Sequence, residues 1–178
     1  PVSIDTYKGN VAEAALQAGA DLVNDIWGFK FDRKTAEMTA KYQVACCLMH
    51  NRNEAVYDDF LEDMVKDMEE CVAIARAAGV PDDKIMLDPG VGFGKTYEMN
   101  LEAINHVDIL HRLGFPILLG TSRKSVIGNT LNLPADQRVE GTLATTVIGV
   151  MKGCSFVRVH DVKENKRIIQ MTKAILAH

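Results

Sequence analysis

Six short apolar runs, each closed by polar or charged residues and each leading into a helical stretch, divide this chain into repeating units. They are Pro1–Asp5, Asp21–Asp25, Val44–His50, Lys84–Asp88, Pro116–Ser122 and Phe156–Asp161. Near-continuous hydrophobic runs mark parallel strands, whose two faces are both covered by helices. In such folds ligands gather at the carboxyl ends of the strands. This chain puts its polar groups there. The repeat therefore implies an α/β architecture of six β/α units, two short of a closed (β/α)8 barrel, and locates its chemistry.

Helical periodicity fills the intervals. Asn10 to Ala18 is alanine-rich, and Tyr57 to Ala78 repeats apolar residues at 3- and 4-residue steps from Phe60 to Ala75. Further helices are expected over Glu98–Leu113 and Val139–Lys152. Gly19, Gly79, Gly114 and Gly153 follow these four segments, as helix-terminating residues in the left-handed conformation do. The long connections are His50–Val56, Pro89–Tyr97 and Thr121–Gln137. Long loops on the carboxyl side of the strands are where barrel enzymes keep function.

With 178 residues and no linker or low-complexity tract, residues 1–178 read as one domain. A net charge of −4 argues against nucleic acid or an anionic membrane as the main partner. No apolar run reaches the roughly 20 residues that span a bilayer. Cys46, Cys47, Cys71 and Cys154 form no CxxC pair and read as buried free thiols, which fits a reducing cytoplasm.

The loop Pro89-Gly90-Val91-Gly92-Phe93-Gly94-Lys95-Thr96 ends like a nucleotide P-loop. Its first glycine position holds Pro89, which has no N–H for a phosphate, and its GxGxG spacing fails the dinucleotide fingerprint. Asp88 is more telling. A carboxylate accepts through two oxygens and pairs with a planar N–H edge, as in guanidinium or a 2-amino-pyrimidinone; it can equally cap the glycine turn that follows. Thr121-Ser122-Arg123-Lys124-Ser125 sets two cations and three hydroxyls after a strand, either as an anion site or as a solvated surface. Strand alternation puts Arg158 and His160 on one face. An anionic ligand or ion pairs with Asp5 or Asp88 would compensate that arginine. Asn24 offers donor and acceptor on a neighbouring strand. His50 reads as a structural group.

In order along the chain, Ser3–Thr6, Val23–Ile26, Cys47–His50, Asp88–Lys95, Ser122–Ser125 and Arg158–Val162 together resemble the dihydropteroate synthase family. The resemblance implies a (β/α)8 TIM barrel represented by its strands 3 to 8. It implies condensation of 6-hydroxymethyl-7,8-dihydropterin diphosphate with p-aminobenzoate to give 7,8-dihydropteroate and pyrophosphate. Carried over by resemblance, Asp5, Asn24, Asp88, Lys124 and Arg158 hold the pterin, while Ile26, Met49, Phe93 and Gly120 line its slot. Arg158 and His160 take the diphosphate. Ser125, with Lys124, receives the p-aminobenzoate carboxylate that sulfonamides mimic. Asp5, Asp88, Lys124, Arg158 and His160 form the catalytic set. A Mg2+ requirement, a cytoplasmic location and a homodimer through the later helices are implied too.

The family's Asn-x-Thr-Pro-Asp-Ser-Phe segment, with its Mg2+ ligand, is absent here. The expectation is therefore an N-terminally truncated chain that binds pterin without being fully competent. A corrinoid-linked pterin methyltransferase and a non-catalytic fragment are the alternatives.

Overall fold

The computed structural model describes all 178 residues, Pro1 to His178. Its strands are β1 (Ser3–Asp5), β2 (Leu22–Asp25), β3 (Ala45–Met49), β4 (Ile85–Asp88), β5 (Leu118–Leu119) and β6 (Phe156–Val157). Every pairing is parallel, and neighbours follow chain order: β1-β2-β3-β4, then β5-β6. A parallel bridge from Leu87 to Ile117 joins the two groups.

Helices α1 (Gly9–Gln17), α2 (Arg33–Lys41), α3 (Phe60–Ala77), α4 (Tyr97–Asn105), α5 (Ser125–Leu131), α6 (Val139–Met151) and α7 (Val162–Leu176) fill the intervals. The longest, α3, is capped by the Asp59 carboxylate, which accepts from the Glu62 N–H at 3.2 Å. Met64, Met68, Cys71 and Ala75 of its inner stripe are fully buried.

Burial grades across the sheet as parallel pairing requires. Cys46, Cys47, Leu48 and Met49 on β3 are inaccessible, so both faces of that strand are covered. At the ends, β1 and β6 have one partner each and stay largely exposed. A cavity of about 610 Å³ lies between those edges, walled by Ser3, Leu22, Phe156 and, from α7, Val162 and Ile169. All four cysteines are free thiols.

Three sequence-based expectations need correction. The ladder at β5 and β6 is two residues long, so Arg158 and His160 lie past the strand and alternation does not orient them. The connection Thr121–Gln137 is not a loop throughout: α5 forms inside it because Val126 and Ile127 are buried, and Asn132, at φ 54°, ends it. The expected helix over Glu98–Leu113 breaks after Asn105. His106 leaves helical angles, and Val107 to Leu113 continue as a 3-10 helix that buries Val107 and Leu110, three residues apart. The four glycines that close the helical segments all have positive φ, between 78° and 99°.

Candidate functional site at the strand carboxyl ends

Register brings the polar strand ends together. Asp5 is the pairing partner of Asn24, Asn24 of Cys47, and Met49 of Asp88. The Asn24 amide donates to Asp5 Oδ2 at 3.2 Å. Asn24 Oδ1 then accepts from Arg158 Nη1 at 2.7 Å, while Arg158 Nη2 donates to Asp88 Oδ2 at 3.1 Å. One planar guanidinium therefore spans acceptors on two strands. It lies against Gly120, where a Cβ would sit 2.9 Å from Nη2 and 3.4 Å from Cζ. Any larger residue there would push the plane away.

Asp88 answers both of its sequence-based readings. Oδ1 caps the glycine loop by accepting the Gly90 N–H at 2.8 Å, and Oδ2 faces the guanidinium. Its side chain is fully buried. Burial pushes the carboxyl above its ordinary value, opposed by Lys124, Arg158 and the Gly90 N–H.

Lys124, at the N-cap of α5, donates to the Val91 carbonyl and holds its ammonium 5.0 Å from the centre of the Phe93 ring. Burial lowers its pKa from the usual lysine range. His160 is oriented by Ser122: the two side chains share a hydrogen bond of 2.9 Å at Nδ1, and Ser122 Oγ also accepts the His160 N–H at 3.2 Å. Gly120, Ser122, Lys124, Arg158, Val159 and His160 enclose a cavity of about 190 Å³. Two cations and a histidine around so small a volume suit an anion.

Not every expected residue joins this cluster. Met49 is buried beside Asp88, but Ile26 is half-buried just past β2 and Ser125 is exposed at the start of α5. Neither Ile26 nor Ser125 hydrogen-bonds to the guanidinium group. Two residues of the Thr121–Ser125 segment have partners that the sequence did not show. Ser122 sets the His160 ring, and Arg123 ties the α5 loop to the loop after β6 through a two-point pair with Asp161, at 2.7 and 3.3 Å. The signal for Arg123 was available: opposite charges follow successive strands.

Asp25, beside Asn24, is a structural acid. Its Oδ1 accepts from the Trp27 N–H at 2.7 Å, whereas Oδ2 is buried without a partner. Burial pushes this carboxyl up to about 6 from an ordinary value of 3.8. The folded state thus holds an extra proton between those values, and stability falls as pH rises through that window. Asp25→Asn is expected to stabilise the protein at about pH 7.5 by on the order of 2 kcal/mol. It should also flatten that pH dependence. Urea denaturation across the range measures both, and an unchanged midpoint would contradict the assignment.

No three His, Cys, Asp or Glu side chains converge as a metal site. Asp88, the buried carboxylate of the cluster, is already committed to Gly90 and Arg158. These residues do not fit Mg2+ by themselves.

A family model described as pterin binding enzyme matches residues 1–160. The chain belongs to the pterin-binding enzyme family. A dihydropteroate synthase from Clostridium beijerinckii is 62% identical over 177 residues, covering 99% of this chain and 66% of the relative. A solved dihydropteroate synthase from Clostridium difficile, in the presence of pteroic acid, is 49% identical with a TM-score of 0.96. That match covers 98% of this chain and 67% of the other. One from Xanthomonas albilineans, solved with 4-aminobenzoic acid, is 33% identical with a TM-score of 0.94, over 100% of this chain and 66% of its own. The chain thus spans about two-thirds of the length of such relatives. Its strand-end cluster lies within the matched residues.

Proposed function

We propose that the strand-end cluster is the pterin diphosphate site of a dihydropteroate synthase. The observation that carries this reading is the bridge of Arg158 between Asn24 Oδ1 and Asp88 Oδ2. A guanidinium and a 2-amino-pyrimidinone present the same planar N–H edge, so acceptors that hold one are shaped for the other. On this reading the pterin displaces Arg158. Asp88 and Asn24 take the heterocycle edge, Asp5 orients Asn24, and Lys124 closes the pocket. Ile26, Met49, Phe93 and Gly120 line the slot.

The freed Arg158 joins His160 on the diphosphate. The amine nitrogen of p-aminobenzoate attacks the pterin methylene carbon, forming C–N as C–O breaks. The electron pair leaves with pyrophosphate and the amine loses a proton. Cations at the departing oxygens and carboxylates near the electron-poor ring stabilise the charges that develop. Ser125 meets the p-aminobenzoate carboxylate. Solved relatives with pteroic acid and 4-aminobenzoic acid support both ligand classes.

The same proposal takes β1 to β6 as strands 3 to 8 of an eight-unit barrel, with the β1 and β6 edges facing the remaining gap. It includes a homodimer, a cytoplasmic location and a Mg2+ requirement, with no Mg2+ ligand assigned among these residues. No helix is long and apolar enough to cross a membrane.

A corrinoid-linked methyltransferase would share the carboxylate and amide but not the diphosphate cations. Pyrophosphate competition separates the two. Pyrophosphate is expected to displace 6-hydroxymethyl-7,8-dihydropterin diphosphate from this protein, and Arg158→Met to weaken that competition at least ~10-fold. Pterin binding indifferent to pyrophosphate would overturn the synthase reading.

A further inference from the structure

The glycine loop that supplies Val91 and Phe93 to the site is held from behind by a chain of half-buried side chains around the fully buried His50. Lys95 turns inward. Its Nζ lies 2.8 Å from His50 Nδ1 and donates to the Gly90 and Phe93 carbonyls, each at 3.0 Å. An ammonium has three protons and no lone pair, so these three acceptors use all of it. Asp67, held ionised by its bonds to His50 and Arg52, can only accept, so His50 Nε2 carries the proton toward Oδ2 at 3.0 Å and leaves Nδ1 as the accepting nitrogen of the neutral ring. Burial pushes His50 down to about 4, which keeps the ring neutral at pH 7 as that tautomer needs. Burial also lowers Lys95 to about 7, opposed by the negative charge of Asp88 and Asp67. Asp67 is fixed in turn by Arg52, at 2.6 and 3.2 Å.

Three more of the loop's polar groups are tied down. Tyr57 donates to the Gly94 carbonyl at 2.6 Å, Asn100 Oδ1 accepts the Gly92 N–H at 2.5 Å, and Asp88 accepts that of Gly90. Only Val91 offers its carbonyl to a site cation, Lys124. The lysine that gives the segment its P-loop look is therefore not presented to a phosphate. It is a pin.

We propose that Lys95, oriented by the Asp67–His50 pair, is a positioning residue that fixes the glycine loop and through Val91 and Phe93 sets the ammonium of Lys124 in the pterin pocket. The proposal rests on the pterin reading for its functional consequence, though not for its structural one.

Hydrogen exchange of the ligand-free protein over residues 89–96 and titration with 6-hydroxymethyl-7,8-dihydropterin diphosphate test the two separately. Lys95→Met and His50→Leu are expected to speed exchange of the loop at least ~10-fold and to weaken pterin binding at least ~10-fold, with β3 and α3 exchanging as before. His50→Gln, whose amide can accept from Lys95 and donate to Asp67, should stay near wild type in both. If Lys95→Met does not fold, Asp67→Ala, at a half-buried position, should shift loop exchange in the same direction. Unchanged loop exchange in a folded Lys95→Met or Asp67→Ala, or His50→Gln matching His50→Leu, would overturn the proposal. Absence of pterin binding by the wild type would defeat the functional reading alone, because loop exchange still decides whether Lys95 is the pin.

Discussion

Replacing Asp88 with Ala should cost pterin affinity at least ~100-fold, on the order of 3 kcal/mol. The side chain is fully buried and serves two donors, the Gly90 N–H and the Arg158 guanidinium. Truncation removes the acceptor that reads the heterocycle and leaves both donors without it. Asp88→Asn separates charge from shape, because it keeps one acceptor while putting an amide donor against the guanidinium. It should lose most of the same affinity and also melt below wild type, because its amide N–H faces another donor at a fully buried position. Calorimetric titration with the pterin diphosphate, alongside thermal melts, measures both. Affinity within ~3-fold of wild type in a folded Asp88→Ala would remove Asp88 from the site.

Gly90→Ala should be the most damaging small change to the fold, on the order of 3 kcal/mol or more. Gly90 has φ 67°, where an L side chain is strained, and its Cβ would collide with the His50 carbonyl oxygen. That neighbour is backbone, so it cannot step aside as a flexible side chain would. Gly19→Ala is the control. Its φ of 99° is equally unusual, but nothing lies within 4 Å of the added methyl, so only the conformational penalty of ~1 to 2 kcal/mol applies. Urea midpoints should separate the two variants, and equal losses would mean that the loop does not press on the β3–α3 connection.

The strands were legible because burial on both faces writes them as unbroken apolar runs, with Cys46-Cys47-Leu48-Met49 the plainest example. The short β5 and β6 were overread. The runs there continue through residues whose backbone has already left the ladder, and hydrophobicity does not record hydrogen bonding. The α5 helix was missed because only seven residues form it inside a polar connection, too few for a period to be read.

At the site, residue types pointed to acceptors and cations and named Asp88 with Asp5 as a partner for Arg158, but not the bridge to Asn24. Arg158 meets Asn24 across 134 positions of sequence, a contact that only the tertiary fold creates. Lys95 was noticed for the wrong reason, as the end of a phosphate motif. Its partner His50 lies just past β3, and Asp67, which His50 bonds in turn, lies on α3. His50 reads from the sequence as a structural group, and in the fold it is fully buried between Lys95 and Asp67, contacts that residue type alone does not reveal.

The most direct measurement is a crystal structure of this protein with 6-hydroxymethyl-7,8-dihydropterin diphosphate. The expected result has the heterocycle edge on Asp88 and Asn24, with Arg158 withdrawn from both and turned with His160 onto the diphosphate. Arg158 still bridging Asn24 and Asp88, with the pterin bound elsewhere, would contradict the account.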